Sequence, residues 1–323
     1  MRFIILTAAV TGIAFIPVEF AVAQSDNYPN KTVRVIVPFP PAGSVDLIAR
    51  LVSPKLSDGL GQQFVVDNRS GASGNIGTEL VARAAPDGYT LLLNTVPFVV
   101  NAFMYSRVPY DALNDFVPIS LVSSSPSMVT VHPSLPVHSV RELLQLARAK
   151  PGALNYAGAG AGTNPHIAGE LFNYLGKVNI VVVQFKGGGP GLIATISGEI
   201  GVTFSNIAET SAYVKSGRLR ALGVSSLKRV AAFPDVPTVA ESLPGYEFTT
   251  WHGMLAPKGT PRAIVALLNE RLKKALSGPD QAQQFAQRGL DIITSSPEEF
   301  AAHLKKEMEK WGKVVKERGM RAD

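Results

Sequence analysis

The segment Pro38-Phe39-Pro40-Pro41-Ala42-Gly43-Ser44-Val45-Asp46 follows a short β-branched run, Val33-Arg34-Val35-Ile36-Val37, and leads into Leu47, Ile48, Leu51 and Val52 at helical spacing. A loop that leaves a strand and opens a helix exposes free backbone N–H groups at the positive end of the helix dipole. That geometry holds small anions. The phosphate loops of nucleotide-binding proteins carry a lysine here, and this loop has none. Its three prolines instead fix its shape. Asp46 is its one acid: it either receives a donor from a ligand or favours its own helix N-terminus by about 0.3–1 kcal/mol.

A second loop, Gly158-Ala159-Gly160-Ala161-Gly162-Thr163-Asn164-Pro165-His166, also joins a strand to a helix. Its glycine spacing does not fit a dinucleotide site, and no acidic ribose partner follows. It reads better as a pocket of backbone donors in which Thr163 and Asn164 either bind or cap the helix. His166 is either a ligand contact or a buried structural residue. The third loop, Phe185-Lys186-Gly187-Gly188-Gly189-Pro190, places Lys186 ahead of its glycines, so it is not a Walker loop. Lys186 faces either a ligand or solvent. Asn94-Thr95 and Ser205-Asn206 end two further strands and offer polar side chains that bind or cap.

Catalytic signatures are absent from the sequence. There is no Gly-x-Ser-x-Gly elbow, and Ser73 in Gly-Ala-Ser-Gly lacks that spacing. The five histidines form no His-x-x-x-His pair, so neither a metal nor another cofactor is expected. A hydrolase using Ser44 or Ser73 would need a histidine beside one of them.

Strand-like runs alternate with helical segments, which implies an α/β sheet with crossover helices. Two extended stretches are too long for ordinary strands, residues 116–132 and 247–256. They are expected to cross between two lobes near residues 123–126 and 249–253, the alternative being one continuous sheet with long edge strands. This divides the chain into residues 24–124 plus 251–323 as one lobe and 125–250 as the other, with a hinged cleft between. Residues 297–318 form an amphipathic helix, with Phe300, Leu304, Met308, Trp311 and Val315 on its apolar face. His303 is expected to face solvent.

The first 23 residues read as an exported signal: Arg2, an apolar run, then Ala21-Val22-Ala23 before Gln24. The run is short for a membrane span of ~20 residues. Of 323 residues 46% are hydrophobic and 17% charged, enough for a sizeable core. Absence of cysteine excludes disulfides and thiol chemistry. The net charge of +6 is spread along the chain, which argues against nucleic acid and for a field that mildly favours anions.

Together these motifs resemble the Bug family, the extracytoplasmic solute-binding receptors of tripartite tricarboxylate transporters. The matching pieces include the Pro38–Asp46 loop, Gly71-Ala72-Ser73-Gly74-Asn75-Ile76-Gly77, Ala84-Ala85-Pro86-Asp87-Gly88-Tyr89-Thr90 and Gly160-Ala161-Gly162-Thr163-Asn164-Pro165-His166. Lys186-Gly187-Gly188-Gly189-Pro190, Phe233-Pro234-Asp235-Val236-Pro237-Thr238 and Trp251-His252-Gly253 continue the match. The resemblance implies an α/β fold of the type II periplasmic binding protein kind, with two lobes joined by two crossing strands. It implies a monomeric periplasmic receptor for a small carboxylate, partnered by membrane permease subunits. In such receptors backbone N–H groups and waters hold the carboxylate, which transfers to residues 39–44 and 160–164, with Asp46 at the acidic position. The expected ligand contacts are therefore Phe39, Pro41, Ala42, Gly43, Ser44, Asp46, Asn94, Thr95, Gly160, Ala161, Gly162, Thr163, Asn164, His166, Lys186, Gly187 and Asn206. The chain departs from the family pattern at Ala42 (usually glycine), at Phe185 (commonly tyrosine) and at Gly201-Val202, where an aspartate is frequent.

Overall fold

A computed structural model describes residues 27–322; the signal segment expected over residues 1–23 lies outside them. The chain begins β1 (Val33–Val37), α1 (Ser44–Leu60), β2 (Phe64–Asn68), α2 (Asn75–Ala82), β3 (Thr90–Thr95), α3 (Pro97–Met104) and β4 (Phe116–Val131). It continues α4 (Val140–Ala149), β5 (Asn155–Gly158), α5 (Asn164–Gly176), β6 (Val181–Gln184), α6 (Gly188–Ile196), β7 (Val202–Asn206), α7 (Ile207–Lys215) and β8 (Arg220–Val224). β9 (Thr249–Pro257), α8 (Arg262–Leu276), α9 (Pro279–Ala286), β10 (Asp291–Ile292) and α10 (Pro297–Arg318) complete it.

The two long extended stretches join the halves of the fold. Residues 116–126 of β4 pair antiparallel with β9, which also pairs with β3. Residues 127–131 of β4 run instead between β7 and β8. Thus one strand belongs to both lobes. On one side β1 lies between β2 and β3, all parallel; on the other β5 lies between β6 and β7, again parallel.

Period-two alternation decides which side chains meet which helices. Val33, Val35 and Val37 of β1 and Leu91 and Leu93 of β3 pack with Ile48, Val52 and Leu56 of α1 and Leu268 and Leu272 of α8. Ile36 and Leu92 face the other way, toward Phe98 of α3 and Phe300, Leu304 and Trp311 of α10. That second core runs on into the other lobe through Val129, Tyr156, Phe172 and Phe204. Gly253 on β9 is glycine for a packing reason: a Cβ there would lie 2.1 Å from Phe300 Cζ. α10 starts at a capping box in which Ser296 and Glu299 satisfy each other's backbone N–H groups.

Residues 97–104 form a helix despite the β-branched pair Val99-Val100, because packing against α10 overrides local propensity. One expectation changes. His303 is half-buried rather than solvent-facing, edge-on to Trp251 with ring centroids 5.4 Å apart. The indole of Trp251 reaches from β9 to α10, where its Nε1–H donates to Glu307 Oε2 at 3.0 Å, and the imidazole is trapped against it.

Candidate functional site

The β1–α1 loop is held from within. Ala42 adopts φ 67°, a left-handed conformation. Its N–H donates to Asp46 Oδ2 at 2.9 Å, and Arg50 Nε donates to the same oxygen at 2.9 Å. Asn68 Nδ2 donates to Asp46 Oδ1 at 3.0 Å and to the Phe39 carbonyl at 3.1 Å. Burial alone would raise the Asp46 pKa, but the hydrogen bonds from Arg50, Ala42 and Asn68 prevail and hold the carboxyl below the usual carboxylate range. Asp46 is therefore the internal fastener that keeps the loop folded over the head of α1.

The β5–α5 loop is fastened in a similar way. Thr163 Oγ1 donates to the Gly160 carbonyl at 2.7 Å, and the Gly160 N–H donates to Gln184 Oε1 at 2.9 Å. The Gly162 N–H donates to His166 Nδ1 at 3.0 Å. Burial pushes the His166 pKa down, with Glu170 opposing, which suits an imidazole that accepts at Nδ1. The loop also touches the opposite lobe. Ser73 donates its hydroxyl to the Ala161 carbonyl and accepts from the Tyr105 hydroxyl at 3.0 Å. Gly162, at φ 75°, has no room for a side chain, since a Cβ would lie 2.7 Å from Asn101 Oδ1.

Between the two loops lies a cavity of about 150 Å³. The carboxyl ends of β1, β3, β5, β6 and β7 all open onto it through the loops that follow them. Of the expected residues, Phe39, Pro41, Ala42, Gly43, Ser44, Thr95, Thr163, Asn164, Lys186, Gly187 and Asn206 line it. Asp46, Asn94, Gly160, Ala161, Gly162 and His166 stand outside its lining and support those that form it. Asn94, for example, donates from Nδ2 to Thr78 Oγ1 at 2.9 Å and accepts the Thr95 N–H at 2.8 Å, which fixes the end of β3. Phe185 and Trp251 do not line the cavity either; Trp251 is buried in the core.

Pro97 and Glu209 also line the cavity, although nothing in their sequence context marks them. Glu209, in the first turn of α7, lines the cavity together with Ser44 of α1, which comes from the other side of the cleft. Burial pushes its pKa up to about 7, with the nearby Ser44 backbone N–H opposing. The Oδ1 atoms of Asn164 and Asn206 are buried without a hydrogen-bond partner.

The cavity can take a small, partly apolar anion. Prolines and Phe39 supply its apolar walls, and the N-terminal ends of α1, α5, α6 and α7 reach its lining. Lys186 is its one lining cation among the described residues. The hydroxyl partners of Ser73 are Ala161 and Tyr105, not an imidazole. Among the described residues no group of three His, Asp or Glu is placed to hold a metal, and no helix is long and apolar enough to cross a membrane.

Residues 48–320 match the family described as the tripartite tricarboxylate transporter family receptor. The chain is 40% identical over 300 residues to the UPF0065 protein in the tcbD-tcbE intergenic region of Pseudomonas sp. (strain P51), covering 92% of this chain and 89% of that one. It is 36% identical over 302 residues to Protein BugT of Bordetella pertussis, covering 93% of each. Among solved structures, R. palustris Rpa4515 with adipate superposes with a TM-score of 0.87 at 35% identity, covering 91% of this chain and 99% of that one. MatC from Rhodopseudomonas palustris with bound malate gives 0.84 at 31% identity, covering 89% and 100%. These similarities and the two-lobed α/β architecture lead to one conclusion: the chain belongs to the Bug family of tripartite tricarboxylate transporter receptors.

Proposed function

We propose that this protein is a monomeric periplasmic receptor that closes its two lobes on a small carboxylate and delivers it to membrane permease subunits. The observation that carries the reading is the convergence of four helix N-termini from two lobes on one cavity of about 150 Å³. Backbone donors preorganised in this way hold a carboxylate without the desolvation cost of a buried counter-charge. The structures bound to adipate and malate support the same ligand class. The apolar run and small-residue cleavage pattern of residues 1–23 support export.

Thermal unfolding with malate, adipate and benzoate tests the reading. A bound ligand at about 100 Kd adds ~2.7 kcal/mol of stability, which raises Tm by several degrees. No rise with any mono-, di- or tricarboxylate would count against it. Uptake into vesicles carrying the permease, with and without the receptor, tests delivery.

A further inference from the structure

Asn164 and Asn206 stand at the heads of two helices that reach the cavity, yet neither amide serves its own helix. Asn206 is the N-cap of α7 and makes no side-chain capping hydrogen bond. Asn164 is the first residue of α5, whose N-cap is Thr163. Both residues line the cavity, and they are only 8% and 4% exposed. Both Oδ1 atoms are buried without a donor. A buried carbonyl oxygen has given up its water hydrogen bonds, so one left unpaired is costly and calls for a partner. Both stand on fixed backbone: Asn206 ends β7 in register with Ser127 of β4, and Pro165 follows Asn164.

The cavity walls have few donors to give them. The Thr95 hydroxyl already donates to the Trp251 carbonyl at 2.5 Å, and the Thr163 hydroxyl to the Gly160 carbonyl at 2.7 Å. Lys186 is the one lining cation among the described residues, and a bound carboxylate competes for it. The remaining side-chain hydroxyl of the lining, that of Ser44, belongs to α1 on the other lobe. Two buried acceptors thus stand at the helix heads with their donors still to come.

We propose that Asn164 and Asn206 form a subsite that reads a hydrogen-bond donor carried by the ligand beside its carboxylate, a hydroxyl or an ammonium group. The assignment rests on the carboxylate-receptor reading above and narrows its ligand class to hydroxy or amino acids. It makes both asparagines specificity-determining residues, because an acid without the donor leaves their oxygens unpaired. The acceptors sit at the same helix heads that face the carboxylate, so the donor belongs on a carbon close to that group. A hydroxyl both donates and accepts, which suits an amide in either orientation of its O and N atoms. An ammonium group also meets the carboxyl group of Glu209, which lines the cavity from α7.

The test is calorimetric titration at neutral pH of the wild-type protein, Asn164→Ala and Asn206→Ala with two matched series of acids. Succinate, malate and aspartate form one; 3-phenylpropionate, 3-phenyllactate and phenylalanine form the other. Within each series only the group next to the carboxylate changes. In each series that binds, the wild-type Kd is expected to be at least about tenfold lower for the hydroxy or the amino acid than for the plain acid. In each variant that ratio falls toward one, whereas general damage to the fold would weaken all acids together and leave the ratio standing. Equal or tighter wild-type binding of the plain acid, a preference undiminished in either variant, or binding confined to adipate or benzoate would overturn the donor subsite and leave the carboxylate reading standing. Failure of the wild-type protein to bind any of these acids would overturn both.

Discussion

The hydroxyl of Ser73, on the β2–α2 connection of one lobe, donates to the carbonyl of Ala161 on the glycine-rich loop of the other. This hydrogen bond exists only while the lobes are together. As a tie between the β2–α2 connection of one lobe and the β5–α5 loop of the other, it forms a latch.

Ser73→Ala removes the latch without disturbing either lobe's core. One hydrogen bond of ordinary strength, about 1 kcal/mol, corresponds to a roughly fivefold weaker affinity for the bound acid. Calorimetry on the variant checks this, and small-angle scattering of the unliganded protein is expected to show a larger radius of gyration. An unchanged Kd and radius would show that closure does not depend on the contact.

Ala42 carries a side chain at φ 67°. A Cβ in that conformation costs about 1 kcal/mol, and replacement by glycine returns a similar amount as unfolded-chain entropy. Ala42→Gly is therefore expected to leave chemical-denaturation stability within about 0.5 kcal/mol of wild type. Ala42→Val, β-branched at the same backbone angle, is expected to lose more than about 1 kcal/mol. A glycine variant that lost as much as the valine one would contradict the strain.

Asp46 sits outside the cavity lining but fastens the loop through three donors. Asp46→Ala leaves the Ala42 N–H and Asn68 amide without their acceptor, and a loss of about 2–3 kcal/mol is expected in urea unfolding. Carboxylate affinity falls with it, because the donors of α1 are no longer held in place. Asp46→Asn, which keeps one acceptor, is expected to fall between the two.

His252 on β9 bonds through Nδ1 to Ser123 Oγ on β4 at 3.1 Å, joining the two crossing strands, and its Nε2 is buried without a partner. Burial pushes its pKa down to about 4, against 6.5 for the free side chain. The unfolded chain therefore binds the proton first as pH falls, and stability declines from about pH 6.5 to about pH 4 by up to ~3 kcal/mol. Glu209 runs the other way. Its pKa is raised, so its contribution is present below the unfolded value of 4.5 and is lost as pH rises to about 7. The stability difference between wild type and His252→Asn is expected to shrink as pH falls from 6.5 to 4. The difference between wild type and Glu209→Gln is expected to move in the opposite direction.

Much of the architecture was legible in the sequence, and the reasons are local. The loops after β1, β5 and β6 announce themselves by proline and glycine between strand and helix patterns, and the crossing strands by their length. What stayed hidden depends on distant contacts. α3 contains the β-branched pair Val99-Val100, and the packing of Phe98 and Phe103 against α10 settles it as helix. Glu209 looks like any acid in a helix's first turn, and the Ser44 segment that lines the cavity with it is far away in the chain. Asp46 was visible as a loop acid, but its partner Asn68 lies on β2.

Amide hydrogen exchange with and without adipate, malate and benzoate tests most directly whether a carboxylate is held by backbone donors from both lobes. Slower exchange is expected in residues 42–46 and 160–167 together on saturation with the acid that binds. Saturation with protection confined to one of these segments, or to neither, would contradict the clamp.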